Sequence, residues 1–99
     1  MTPTLNQRRL LSREMSARPW ELAMEAVLKA ERKFPGWPND PIHGAAVVGE
    51  KSGELTQAAL QFTYEHGRRE AMRKEACHVA ATAIRFLYWL EATDGEVTK

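Results

Sequence analysis

The stretch FPGWPNDPIH (residues 34–43) separates two helical patterns and starts the second one. Its three prolines and one glycine are incompatible with a continuous helix. Asp40 followed by Pro41 is typical of a helix start, because an aspartate side chain caps free backbone N–H groups and proline suits the first helical turn. Large aromatic residues such as Phe34 and Trp37 are unusual in a solvated linker, so we expect this loop to pack on the rest of the protein.

Apolar residues recur at helical spacing in three segments of the chain. The predicted helices run from about Pro19 to the loop at Phe34, from about Pro41 to His66, and from about Arg69 to Ala92. Gly67 is well placed to stop the second helix. The sequence therefore predicts a single all-α domain over residues 18–95, preceded by a polar, basic arm over residues 1–17.

The third predicted helix is apolar nearly all round between residues 76 and 90, ACHVAATAIRFLYWL. A helix without a polar face is buried on several sides, and two further helices do not easily surround it. We therefore predict a helical bundle completed by oligomerisation, with Trp20 and Trp89 in its core. Arg85 lies inside the apolar run and needs a partner. A glutamate across a subunit interface is the preferred interpretation, and a phosphate is the alternative.

Composition narrows the class of protein. The chain has 99 residues, enough for one domain, and a net charge of +1, so nucleic acid and anionic membranes are not expected partners. Cys77 is the only cysteine and cannot form an internal disulfide. No apolar run approaches the roughly 20 residues that span a bilayer, and residues 1–16 lack the apolar core of a secretory signal. These features indicate a cytoplasmic protein.

Acidic residues recur at helical spacing on the second and third predicted helices. Glu50 and Glu54 lie four residues apart, whereas Glu75 and His78 lie three apart, so each pair shares a face. A tight turn at Gly67 would bring Glu54 near Glu75. Clustered carboxylates repel each other unless a cation lies between them, and Mg²⁺ prefers carboxylate oxygens. In the alternative interpretation the glutamates are solvated and pair with neighbouring cations, Lys51, Arg73 or Lys74.

Three segments carry a family resemblance: WPNDPIH (37–43), GEKSGELTQAA (49–59) and RKEACHVA (73–80). Together they resemble the MazG-like all-α nucleoside triphosphate pyrophosphohydrolases, especially the short, phage-associated members, over about residues 34–90. The superfamily pattern is E-E-x-x-E on one helix and E-x-x-D on the next. The resemblance implies a hydrolase that uses a metal-activated water to convert a ribo- or deoxynucleoside triphosphate into the monophosphate and pyrophosphate. It also implies a homodimer or homotetramer with sites near subunit interfaces.

The resemblance implies that Glu50, Glu54 and Glu75 are catalytic residues and metal ligands, with Mg²⁺ or Mn²⁺ as the cofactor. Two positions depart from the pattern. Lys51 stands where the family usually has a metal-binding glutamate, and His78 stands where it usually has aspartate. His78 remains a candidate ligand, although nitrogen suits Mn²⁺ or Zn²⁺ better than Mg²⁺. The ammonium group of Lys51 could replace the cation or bind a phosphate.

Two further residues are candidates for substrate contact. Trp37 could stack on a nucleobase together with Phe34, although packing on the first helix as a loop anchor is the preferred interpretation. His43 could contact a phosphate near the start of the second helix, where anions are favoured. A surface or core histidine is the more common case.

The sequence is compatible with three functions. The first is a metal-dependent nucleotide pyrophosphohydrolase. The second is a catalytically impaired MazG-like relative that binds nucleotide or a protein partner, with its acidic site blocked by Lys51. The third is a helical DNA-associated protein that uses the basic residues of the arm, Arg8, Arg9 and Arg13. The resemblance and the small net charge favour them in that order.

Overall fold

A computed structural model of the protein describes Thr4, Leu5 and residues 18–93. Within residues 18–93 the chain forms three α-helices: α1 (Arg18–Lys33), α2 (Pro41–Tyr64) and α3 (Arg69–Thr93). This part of the chain contains no β-strand, so the predicted all-α class is confirmed. Apart from Thr4 and Leu5, the predicted N-terminal arm lies outside the described residues.

The start of α2 has the predicted cap. The Asp40 side chain accepts a hydrogen bond from the backbone N–H of Ile42 at 2.9 Å, and Pro41 occupies the first turn. These contacts satisfy or avoid backbone donors that have no partner inside a helix. The helix therefore begins where the sequence predicts.

The end of α2 differs from the prediction. The helix ends at Tyr64 rather than at His66, and it is His66 that adopts the left-handed conformation, with φ of 58°. Gly67 donates its N–H to the carbonyl of Gln61 at 2.9 Å, and its backbone approaches that residue closely. A Cβ at Gly67 would lie 2.8 Å from the Gln61 carbonyl carbon. Glycine is required here because of this close approach and not because of a positive φ.

Helix α3 lies between the other two helices and packs against both of them. The short connection after α2 turns the chain back, so α2 and α3 run antiparallel, with the Gly44 position against Phe86. Small side chains allow the close packing, since Ala23, Ala58 and Ala81 are among the most buried residues of the three helices.

The two tryptophans predicted for the core have different environments. Trp89 is buried and donates its indole N–H to the side-chain oxygen of Asn39 at 3.2 Å, so this prediction is confirmed. Trp20 is 68% exposed, so its predicted core position is wrong for the single chain. Helix α1 contributes the smaller Ala23 and Val27 to the core and leaves the adjacent, larger apolar residues on the surface.

Part of α3 also remains uncovered in the single chain. Leu87 and Tyr88 are 57% and 61% exposed, although they belong to the run that is apolar nearly all round.

In residues 18–93, no helix has both the length and the apolar character needed to cross a membrane.

The loop between α1 and α2 is anchored, as expected, and its aromatic contacts include residues of α2 and α3. The Trp37 ring meets the Phe86 ring edge to face, with centroids 6.2 Å apart. Gly44 makes room for this pair, because a Cβ there would lie 2.8 Å from Trp37 Nε1 and 3.1 Å from Phe86 Cε2. Phe34, by contrast, is 62% exposed.

Arg85 fastens the same loop to α3 from within the core. Its guanidinium group donates to the backbone carbonyls of Phe34 at 2.6 Å and Gly36 at 2.9 Å, and lies 5.3 Å from the centre of the Trp37 ring. The Nε atom of Arg85 is 3.4 Å from a carboxylate oxygen of Glu31. The expected glutamate partner is therefore present, but within the same chain rather than across a subunit interface.

Candidate functional site

The side chains of Glu54, Glu75 and His78 converge where α2 faces α3. One potential ligand atom from each residue lies within 4.8 Å of the other two. Glu75 and His78 are one turn apart on α3, and His78 Nδ1 lies 3.1 Å from Glu75 Oε1. Glu54 reaches the pair from α2 because the two helices run antiparallel. The expected approach of Glu54 to Glu75 is confirmed, and we call these three residues the acidic cluster.

Lys51 lies beside the acidic cluster on α2. Its Nζ atom is 3.7 Å from Glu54 Oε1 and 4.0 Å from Glu50 Oε1. The Glu50 side chain is 72% exposed, and its carboxylate is not among the atoms that converge with Glu75 and His78. The structure therefore brings together three of the four predicted metal ligands and leaves Glu50 at the edge.

The donor atoms of the acidic cluster fit one divalent cation. Two carboxylates and an imidazole are suitable ligands, and the nitrogen suits Mn²⁺ better than Mg²⁺. Ligand atoms of one Mg²⁺ ion lie about 2.1 Å from it, and hence at most about 4.2 Å apart. The spread of up to 4.8 Å in the cluster requires only a small adjustment of the side chains. The hydrogen bond between His78 and Glu75 would open in the process.

A cavity of about 570 Å³ lies next to the acidic cluster, lined by residues of all three helices and of the loop between α1 and α2. Its lining includes five cationic side chains, Lys29, Lys33, Lys51, Lys74 and Arg85. Among the described residues, no aspartate or glutamate lines this cavity. The cavity is therefore suited to an anion, and His78 is the member of the acidic cluster that reaches its wall.

The apolar part of the cavity wall consists of aromatic residues of the loop and of small residues of the helices. Trp37 and Phe34 of the loop contribute aromatic rings. Ala30 of α1 and Ala81 of α3 contribute only methyl groups, which leaves room between the helices. Aromatic walls beside cationic groups are suited to a ligand that combines a flat ring with phosphates.

The three residues predicted to contact substrate differ in position. Lys51 and Trp37 line the cavity. The Trp37 Nε1 atom is buried without a hydrogen-bond partner and lies against Gly44, so the ring is held mainly by packing. His43 is exposed and does not line the cavity.

Three lysines of the cavity were not identified as site residues from the sequence. From the sequence, Lys74 is expected only as an ion-pair partner of a glutamate, and no role is predicted for Lys29 or Lys33. The available signal was their position: Lys29 and Lys33 are one turn apart and adjoin the small residues Ala26 and Ala30. Small residues beside regularly spaced cations on one helix face are compatible with a ligand site.

Comparison of the chain with protein-family models, with curated proteins and with solved structures gave no match. The resemblance to the MazG-like pyrophosphohydrolases thus rests on the sequence motifs, and membership of that family stays a prediction.

Proposed function

We propose that this protein is a metal-dependent nucleoside triphosphate pyrophosphohydrolase of the MazG-like type. The observation that supports the proposal is the position of the acidic cluster next to a cavity that five cationic side chains, and no carboxylate of the described residues, line. A nucleoside triphosphate needs both parts, because its phosphates require positive charge and its hydrolysis requires groups that orient and deprotonate water. The products are the nucleoside monophosphate and pyrophosphate.

In the proposed reaction each group has a defined role. Glu54, Glu75 and His78 would hold Mg²⁺ or Mn²⁺, and a divalent cation bound there would offset the charge of the triphosphate and favour ionisation of a water molecule. The water oxygen bonds to the α phosphorus while the bond from this phosphorus to the α–β bridging oxygen breaks. Pyrophosphate leaves with that oxygen, and a carboxylate of the acidic cluster takes the proton of the water.

Glu50 and Lys51 support this arrangement from the edge of the site. Glu50 holds the Lys51 ammonium from the solvent side, at 4.0 Å. Lys51 lines the cavity and is placed to bind a phosphate oxygen of the substrate. Trp37 lines the cavity and is the residue proposed to contact the base.

The proposed enzyme is a cytoplasmic, phage-associated homodimer or homotetramer. The exposed apolar residues of α1 and α3 support the oligomer, among them Trp20, Leu28, Leu87 and Tyr88. A chain of this size buries a modest fraction of its surface alone, and a second copy would cover these side chains.

A second function is favoured by one contact. The ammonium group of Lys51 lies 3.7 Å from Glu54, so it already offsets part of the negative charge that would attract a cation. In this alternative the protein is a catalytically impaired relative that binds nucleotide or a protein partner.

Hydrolysis assays on ribo- and deoxynucleoside triphosphates distinguish the two functions. Each substrate is incubated with Mg²⁺, Mn²⁺ or a chelator, and the products are separated by chromatography. The proposed enzyme forms monophosphate and pyrophosphate only with metal. Absence of turnover in the folded wild type, together with turnover in Lys51→Glu, would instead identify the impaired relative.

A further inference from the structure

The charge around the cavity is not balanced by the residues that line it. The whole chain is nearly neutral, with 14 lysines and arginines against 13 aspartates and glutamates. The cavity nevertheless collects five of these cations and no carboxylate from the described residues. Cations that share a concave surface repel each other, and a bound anion removes that repulsion.

Two of the five cations already have partners. Lys51 pairs with Glu54 and Glu50, and Arg85 pairs with Glu31 and two backbone carbonyls. These two groups are therefore partly neutralised within the chain.

The other three cations, Lys29, Lys33 and Lys74, form no ion pair within residues 18–93. Lys33 has a partial explanation, because it lies in the last turn of α1, where the helix dipole favours a cation, and 5.4 Å from the Phe34 ring centre. Neither contact applies to Lys29 or Lys74. Their charges remain available to a ligand.

The positions of these lysines match a linear anion. Lys29 and Lys33 are one turn apart on α1, and both belong to the wall that this helix contributes to the cavity. Lys74 belongs to the wall formed by α3. The alanines between these walls leave the space open, and the volume of about 570 Å³ falls within the roughly 300–1,000 Å³ range of small-molecule sites.

We propose that Lys29, Lys33 and Lys74 form a metal-independent binding site for the terminal phosphates of a polyphosphate chain. We call these residues the lysine wall. The identification of that chain as part of a nucleoside triphosphate rests on the proposed function. The lysine wall holds the phosphates that leave, whereas the acidic cluster lies near the phosphate that reacts. Affinity should therefore rise with the number of phosphates.

Binding of inorganic tripolyphosphate to the full chain tests this proposal. Calorimetric titrations are made in a chelator, so that no metal contributes, and are repeated with pyrophosphate and phosphate. The double variant Lys29→Gln/Lys33→Gln is compared with the control Arg18→Gln/Arg32→Gln. The control removes the same charge from α1, at residues that do not line the cavity. Circular dichroism and thermal melting establish that both variants are folded, as expected for exposed side chains.

We expect the lysine double variant to bind tripolyphosphate at least about tenfold more weakly, which corresponds to about 1.4 kcal/mol. The control should change the affinity less than about twofold, since exposed charges away from the ligand are screened by salt. Tripolyphosphate should bind more tightly than pyrophosphate, and pyrophosphate more tightly than phosphate. Equal losses in both double variants, no effect of the lysine substitutions, or no dependence on chain length would each overturn the proposal.

The outcome is separable from that of the proposed function. If the wild type binds tripolyphosphate through the lysine wall but hydrolyses no nucleotide, this inference stands and the proposed enzymatic function is refuted. If the Lys29→Gln/Lys33→Gln variant hydrolyses nucleotide with unchanged KM and kcat, the proposed enzymatic function stands and the lysine wall is refuted.

Discussion

The Nζ atom of Lys51 lies 3.7 Å from Oε1 of Glu54. A fixed positive charge thus adjoins one of the carboxylates proposed to hold a divalent cation. Both side chains are partly exposed, at 30% for Lys51 and 40% for Glu54. Exposed ion pairs of this kind contribute at most about 1 kcal/mol, so a divalent cation can compete with the ammonium group for Glu54.

Replacing Lys51 by methionine should tighten the binding of Mn²⁺ by about two- to fivefold, since about 0.5–1 kcal/mol of competing attraction is removed. Methionine retains most of the apolar stem of the side chain. Calorimetric titration with Mn²⁺ measures the change. The matched control is Lys74→Met, because Lys74 also lines the cavity but forms no ion pair within residues 18–93. Unchanged or weaker Mn²⁺ binding in Lys51→Met would show that Lys51 does not compete for the site.

The family resemblance and the structure give different expectations for Glu50. The resemblance implies a metal ligand, whereas the structure leaves the side chain 72% exposed and in contact with Lys51. We expect Glu50→Gln to lower the turnover of nucleoside triphosphate about tenfold less than Glu54→Gln, whose loss should fall in the roughly 100- to 10,000-fold range of proton-transferring groups. Steady-state rates of the two variants decide this. Equal losses would mean that Glu50 turns inward and binds the metal when substrate is present.

Gly44 is expected to be essential for the packing of Trp37. A Cβ at this position would lie 2.8 Å from Trp37 Nε1, whereas a Cβ at Gly53 would meet nothing within 4 Å. Both glycines lie inside α2, so the helix-propensity gain of alanine cancels in the comparison. Gly44→Ala should have a free energy of unfolding about 1–3 kcal/mol below that of Gly53→Ala, because overpacking a rigid site is costly. Urea denaturation measures both values, and equal stabilities would contradict the described contact.

Arg85 is expected to stabilise the loop and the cavity wall together. Arg85→Met removes the donor to the carbonyls of Phe34 and Gly36, and should lower the free energy of unfolding by about 1–3 kcal/mol. Glu31→Gln should cost less than about 1 kcal/mol, because the Glu31 side chain is 47% exposed. Urea denaturation gives the free energies of unfolding of both variants. A larger loss of stability in Glu31→Gln than in Arg85→Met would contradict the role described for Arg85.

Much of the fold and the acidic cluster follows from sequence alone. The Asp40–Pro41 pair determines where α2 begins, and the short connection before α3 makes the two helices antiparallel neighbours. The three-residue spacing of Glu75 and His78 then places both side chains on the face of α3 that meets Glu54. These features depend on local chemistry and helical periodicity, which a single sequence contains.

Features that depend on packing between helices could not be predicted in this way. The apolar residues of α1 form one broad stripe, and only the structure shows that Ala23 and Val27 face the core while Trp20 faces outward. That choice depends on the small residues of α3, which admit a close approach. The orientation of α1 that buries Ala23 and Val27 also brings Lys29 and Lys33 to the cavity. Glu50 and Glu54 differ by about 40° around the helix, enough to leave Glu50 outside the acidic cluster.

Metal-dependent hydrolysis of nucleoside triphosphate at the acidic cluster is the proposal on which the other residue roles depend. The most direct measurement is the release of pyrophosphate by wild type, Glu75→Gln and the control Glu70→Gln, each with Mn²⁺, Mg²⁺ or a chelator. Glu70 lies in the first turn of α3, is exposed and does not line the cavity. We expect metal-dependent release that falls at least about 100-fold in Glu75→Gln and stays within about twofold in Glu70→Gln. Equal release by wild type and Glu75→Gln, or release that persists in the chelator, would contradict it.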